Sequence, residues 1–412
     1  MQGVFLAEVN TSLRRHPPLA RAALVCLAGF LFFSSFSISL SQIFVFTGIP
    51  LWLLSVWKEP RSVPTRFYFW KPFALFVVLT SGSAFFSDDM VRSLKDVKQI
   101  SQIFIFYFAV NIVADEREAH WLVKVLLAAA ALASIFTLGF ALMRPIGLAN
   151  RMSGFFSIYM TLGGYLVIAG ALAFAYLIHT EKKSARGLAG VTSVIIIAAL
   201  MTTFSRNAWV GFGAAVICTV VAARSVKGML FIVVLAISVV ALSPPAVRSR
   251  ILSIGDTKDP STLERMYMWQ SGLNMVRDRP VFGTGLDMIK RTYTPYANPK
   301  AMKKRTGHLH NNMLHIAVER GLPALASWIW IMAAFFMAAL KRMNQSLNAT
   351  FESRYLPAAG LAAVTGFFVA GLFEYNFGDS EVVMLAYFAM ALPFMGAQEG
   401  APTGGGRLSE ED

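Results

Sequence analysis

Charge is scarce in this sequence: 15% of its 412 residues are Asp, Glu, Lys or Arg, against 56% hydrophobic residues. So little polar surface cannot cover a globule of this size in water, which excludes a soluble enzyme. Cysteine is almost missing too. Cys26 and Cys218 both fall inside apolar runs, so a disulfide framework is excluded and neither stands among metal ligands. No small-residue cleavage site follows the first apolar run, and the N-terminus reads as an uncleaved anchor. No "HExxH" occurs, and the "GTG" at Gly283 to Gly285 has too few glycines, and no preceding strand, for a dinucleotide fingerprint. It reads as a tight turn.

Long apolar runs, by contrast, are abundant. A bilayer core asks for roughly 20 apolar residues per helix, and the runs predict about twelve spans, near 19–36, 38–57, 72–86, 98–113, 120–143, 156–178, 188–204, 207–223, 228–243, 322–340, 356–373 and 380–396. The expected fold is an all-α polytopic membrane protein with one large extracytoplasmic loop containing short helices. It divides into helices 1–9 over residues 1–243, a basic loop over 244–321, helices 10–12 over 322–396, and a tail over 397–412. That tail, Gly-rich and acidic without an apolar face, is expected to be disordered on the cytoplasmic side. Orientation follows from the short loops that carry Arg14, Arg15, Arg21, Lys58, Arg61, Arg66, Lys182, Lys183, Arg186, Arg224, Lys227, Lys341, Arg342 and Arg354. Those loops are cytoplasmic by the positive-inside rule, and the long loop lies outside.

The long loop is itself basic, from Arg248 and Arg250 to the cluster Lys300, Lys303, Lys304 and Arg305. Nucleic acid is excluded as its partner, because stacking aromatics are not interleaved with the charges and the loop is extracytoplasmic. Anionic lipid phosphates fit better. Within it, residues 262–277 have an amphipathic helical spacing, with Leu263, Met266, Trp269, Leu273 and Val276 on one stripe. Ser261 or Thr262 is the expected cap, and the break comes at Pro280. Arg265 sits in the first turn, where the dipole disfavours a cation, so the charge has another use. In "TTFSRNAWVGF", Arg206 interrupts two consecutive spans at their extracytoplasmic end, where a lone arginine is least expected.

Three of the six histidines crowd into "GHLHNNMLHIAVERG", residues 307–321. No pair among His308, His310 and His315 has the i, i+4 spacing of two zinc ligands on a helix face. A helix starting near His310 turns His308 and His315 to one face and His310 to another. Carboxylates that could serve a metal mechanism are Asp88 and Asp89, or Glu374, Asp379 and Glu381 in "LFEYNFGDSE". Glu374 and Asp379 suit the orientation of a histidine or an acceptor sugar better than magnesium, and the site is expected to be metal-free, with no cofactor.

The run "HNNMLHIAVERGLPA" from His310, the segment "RMYMWQSGLNMVRDRPVFGTGL" and the "SRNAW" turn together resemble the bacterial O-antigen ligases. One departure is Ala324 where the family usually has a second glycine after Gly321. The resemblance implies transfer of polysaccharide from undecaprenyl pyrophosphate to a sugar hydroxyl of the lipid A core, at the periplasmic face of the bacterial inner membrane, with inversion by one displacement. Arg206 and Arg265 are then the pyrophosphate-binding pair, since guanidinium grips phosphate oxygens in two-pronged fashion. His310 is the general base, because an imidazole with an ordinary pKa near 6.5 takes a proton at neutral pH. Asn311, Glu374 and Asp379 are candidate orienting or acceptor-binding residues. The partners implied are the undecaprenyl-pyrophosphate-linked polysaccharide, the lipid A-core acceptor and membrane lipids. Two alternatives stay open: an O-antigen polymerase or protein O-oligosaccharyltransferase of the same superfamily, differing in acceptor, and a flippase of lipid-linked sugars, which has no use for a base.

Overall fold

Apolar runs in hydrocarbon must satisfy their own backbone groups, and a helix does so within one segment. The computed structural model describes residues 15–60, 65–224, 228–230, 234, 237, 241, 245–346 and 351–396. Most of the expected span 228–243 and all of the tail 397–412 lie outside these. Helices hold 76% of the described residues, with no strand among them. In chain order they are α1 (Pro18–Phe33), α2 (Ile38–Lys58), α3 (Trp70–Phe85), α4 (Met90–Asp96), α5 (Phe104–Ile112), α6 (Glu116–Met143), α7 (Tyr159–His179), α8 (Lys183–Thr202), α9 (Arg206–Ala222), α10 (Pro245–Leu252), α11 (Pro260–Asp278), α12 (Ile289–Thr292), α13 (Asn312–Gln345), α14 (Phe351–Ala370) and α15 (Ser380–Ala391).

Among the described residues, five helices are long and apolar enough to cross a membrane by length and composition: α2, α6, α7, α8 and α13. The expected span at 98–113 is instead a 3-10 segment, Val97–Ile103, leading into the short α5. Of the five, α7 is 83% buried over its most apolar stretch and the others 28–39%, so α7 is the pillar. It packs against α8, α9 and α14. Small residues let these helices approach: a methyl on Gly211 of α9 would meet the Gly366 carbonyl of α14 at 2.7 Å, and one on Gly163 of α7 would meet Ala208 of α9 at 3.1 Å. The N-termini of α7, α9 and α13 and the C-terminus of α14 thereby gather at one end of the bundle.

At that end the long loop is fastened to a break in α13. Gly321 (φ 81°, ψ 169°) is non-helical, so Asn312–Gln345 is two helices in succession. The break frees the carbonyls of Val318 and Glu319, which accept from the Thr284 and Gly285 amides at 2.8 and 2.9 Å, while the Leu322 amide donates to Pro280 at 2.8 Å. Gly283 and Gly285 adopt positive φ, and a side chain at Gly283 or Gly321 would run into the facing backbone. The "GTG" is thus more than a turn: it is the backbone key that fits the kink. Ion pairs Arg279–Asp88 (2.9 Å), Arg291–Asp89 (2.6 Å) and Arg92–Asp287 tie the same loop to the start of α4, and Phe86 stacks on Phe282.

Candidate active site

The "HNN" triplet assembles the site. Asn311 is the N-cap of α13, its Oδ1 accepting from the Leu314 amide at 2.9 Å, and its Nδ2 donates to the Leu372 carbonyl at 2.9 Å. The Asn312 amide donates to the Gly371 carbonyl at 2.7 Å, and Asn312 Oδ1 accepts from the Phe377 amide at 3.0 Å. These bonds pin residues 371–377 against the start of α13. They bring Glu374 to His310, whose Nδ1 donates to both carboxylate oxygens at 2.8 and 2.9 Å. An ionised carboxylate only accepts, so Nδ1 carries a proton, and in the neutral form of the ring Nε2 is the nitrogen with the lone pair. His310 itself stands just outside the helix with φ 49°, a left-handed conformation that an L residue adopts at some strain.

The cations converge beside this pair. Arg265 Nη2 lies 3.6 Å from Glu374 Oε2. Burial pulls the Arg265 guanidinium down from its ordinary value, and the Glu374 charge opposes that. Desolvation would raise Glu374, but the hydrogen bond and charge of His310, with the charge of Arg265, hold it below the usual carboxylate range. Arg206 opens α9 after the three-residue turn 203–205, the short turn expected there. Its Nη2 donates to Asp259 Oδ1 (2.9 Å), Ser261 Oγ (2.8 Å) and Thr262 Oγ1 (3.0 Å), and its Nη1 to the Ser253 carbonyl (2.7 Å). Arg206 and Arg265 line one cavity with Arg151, Tyr159, Asn207 and Arg250. Burial and the charges of Arg206 and Arg151 push Arg250 down to about 10. Four guanidiniums around one cavity outnumber the nearby carboxylates Asp259 and Glu374, and the resulting field selects an anion.

Several expectations change in detail. The cap of α11 is Asp259, accepting from the Ser261 and Thr262 amides at 3.0 and 3.1 Å, rather than Ser261 or Thr262. A carboxylate there both caps the helix and neutralises Arg206, and despite its burial these bonds push Asp259 down to about 2. Because α13 begins at Asn312, His308 is not turned away with His315. Its ring meets that of His310 at 4.2 Å, and burial, then His310, push it down to about 4. His315 lies apart, its Nε2 3.2 Å from Glu319 Oε1. Asp379 is not at the histidine: it accepts from Thr161, and burial and Glu381 push it up to about 7. The basic cluster packs through its backbone, the Met302 and Lys303 amides donating to Glu264 at 3.0 and 2.7 Å. Arg151 and Asp259 escaped the sequence reading, and Arg250 was read only as one of the loop's many cations. Arg151 carried the signal that singled out Arg206, a cation in a short loop expected outside the cell.

Residues 191–329 match the family model described as O-Antigen ligase. The resemblance read in the sequence is thus shown for this stretch. It holds Arg206, Arg250, Arg265 and His310, whereas Glu374 falls outside it. A Haemophilus influenzae protein, bearing only the name "Uncharacterized protein", is 28% identical over 173 residues, 37% of this chain and 43% of that protein. The chain therefore spans less than half of that curated relative.

Proposed function

We propose that this protein is an O-antigen ligase of the bacterial inner membrane, joining a lipid-linked polysaccharide to the lipid A core at the periplasmic face. The observation that carries this reading is the Glu374–His310 pair placed beside an arginine-lined cavity. The donor's leaving group is a lipid pyrophosphate, so the reaction needs cations and no ATP. Arg265 and Arg206, with Arg250 and Arg151 around the same cavity, grip its oxygens. Glu374 orients the imidazole through Nδ1. His310 Nε2 takes the proton of the acceptor hydroxyl as its oxygen attacks the anomeric carbon. The bond from that carbon to the phosphate oxygen breaks on the opposite side, and undecaprenyl pyrophosphate leaves with inversion. No metal is needed in this scheme, because the guanidiniums meet the leaving charge. A transporter of lipid-linked sugars would have no use for an oriented base.

Reconstitution of the purified chain with undecaprenyl-pyrophosphate-linked polysaccharide and lipid A core is the test. Product on lipid A core, formed without ATP and not diminished by chelators, is the expected result. Extension of a second lipid-linked repeat instead would make it a polymerase, and vectorial movement without new glycosidic bonds would reject enzyme chemistry.

A further inference from the structure

His308 takes no part in the proton transfer described above, yet it lies against the groups that do. Its Nδ1 is 3.7 Å from Glu374 Oε1, and that nitrogen is buried with no hydrogen-bond partner among the described residues. His310 Nδ1 faces the same oxygen at 2.8 Å. One donor atom each from His308, His310 and Glu374 lie within 4.8 Å of one another. We propose that these three side chains form a binding site for a divalent transition-metal ion of the zinc type, and that its occupation switches the base off.

Two imidazoles and a carboxylate, with a fourth position open, make a donor set that zinc uses. Nitrogen donors with a single carboxylate disfavour magnesium and calcium, which ask for oxygen. Donor atoms at about 2.0–2.1 Å from a tetrahedral ion stand roughly 3.4 Å apart, so the His308 side closes and the His310 side opens by a few tenths of an ångström. Arg265 lies nearest the other carboxylate oxygen, Oε2, at 3.6 Å, which leaves Oε1 for the ion while its charge limits the affinity. The chemical consequence follows from tautomerism. In the proposed reaction Nδ1 carries the proton and Nε2 the lone pair. An ion on Nδ1 displaces that proton, which is exchanged through solvent onto Nε2, so the ring stays neutral with its single N–H on Nε2. The atom that should accept the acceptor's proton can no longer do so. Inhibition rests on the proposed role of His310, whereas binding does not.

The test uses the full chain in detergent, stripped of metal by a chelator, with zinc titrated in competition with a chromophoric chelator. One ion per chain is expected. His308→Ala, and the bulkier His308→Gln if the first folds poorly, should weaken binding by roughly tenfold or more, as should Glu374→Gln. In ligation assays zinc should inhibit the wild type, a chelator should restore the rate, and His308→Ala should work without zinc and resist its addition. Absence of a bound ion, or an affinity unchanged by His308 and Glu374 variants, overturns the site. Zinc bound at these residues with an unchanged rate overturns the switch. Zinc binding by a chain that ligates nothing supports the site and rejects the proposed function instead.

Discussion

Five positions apart, His310 and His315 each face a glutamate, and the two pairs are built for different ends. His310 offers Nδ1 to Glu374, its side chain 12% exposed beside Arg265, so Nε2 remains available to a substrate. His315 turns Nε2 to Glu319, with both side chains 5% exposed or less, and its ring stacks on Tyr375. Its Nδ1 is buried without a hydrogen-bond partner among the described residues. Glu319 also accepts the Asp287 amide at 2.9 Å and lies 3.7 Å from Arg320. The inner pair therefore ties the kink of α13 to the loop that keys into it. The difference teaches that a histidine–carboxylate pair becomes a candidate base through which nitrogen is left free and whether anything can reach it.

The sharpest way to break this comparison is to remove each ring. His310→Ala should lower ligation by about 10²- to 10⁴-fold, with lipid-pyrophosphate binding largely kept. His315→Ala should act on stability, leaving buried Glu319 with one partner fewer, at a cost of up to roughly 3–5 kcal/mol. Its folded fraction should still ligate. Melting curves and rates per folded molecule decide this, and a stable but inactive His315→Ala beside an active His310→Ala would exchange the two roles.

Next in size are the cations. Arg265→Ala should lose one charged contact to the donor and the anchor of Glu374, lowering kcat/KM by roughly 10- to 100-fold. Arg265→Lys should recover only part, because an ammonium cannot reproduce the planar fork. Arg206→Ala should in addition lower the melting temperature, since it removes the closer of the two guanidiniums paired with Asp259 at the head of α11, leaving Arg250 at 3.5 Å. Full activity in Arg265→Ala would remove it from the site.

Acidity separates the members of the outer pair. Glu374 is held below its ordinary range, so its contribution to stability is fully present above the unfolded carboxylate value and is lost only as pH falls through the lower folded one. Between neutrality and pH 5 Glu374 should therefore stay ionised, with the melting temperature of the wild type still above that of Glu374→Gln. Convergence of the two melting temperatures already at pH 6 would contradict this. The smallest effect is expected at Asp379, whose carboxyl is pushed up to about 7 and is already half protonated near neutrality. Asp379→Asn should change the ligation rate at pH 6 less than about threefold, and a larger loss would place its charge in the chemistry.

Local features were legible because they depend on residues close in the chain. Hydropathy foretold most of the long described helices, though not the break of 98–113 into a 3-10 segment and the short α5; the short turn before Arg206 was read from an interruption in an apolar run, and α11 spans Pro260–Asp278 where spacing predicted 262–277. His310 stood out by its motif. What could not be read were the meetings across the fold. Glu374, 64 positions from His310, reaches it because Asn311 and Asn312 bond the backbone of residues 371–377, and His308 joins them because one residue, His310, takes a positive φ. The "GTG" found its partner only once Gly321 broke α13 and freed two carbonyls. Hydrophobic periodicity fixes which backbone groups a segment satisfies within itself. The groups left over at helix ends and kinks choose their partners by where the chain crosses itself, and those leftover groups built the site.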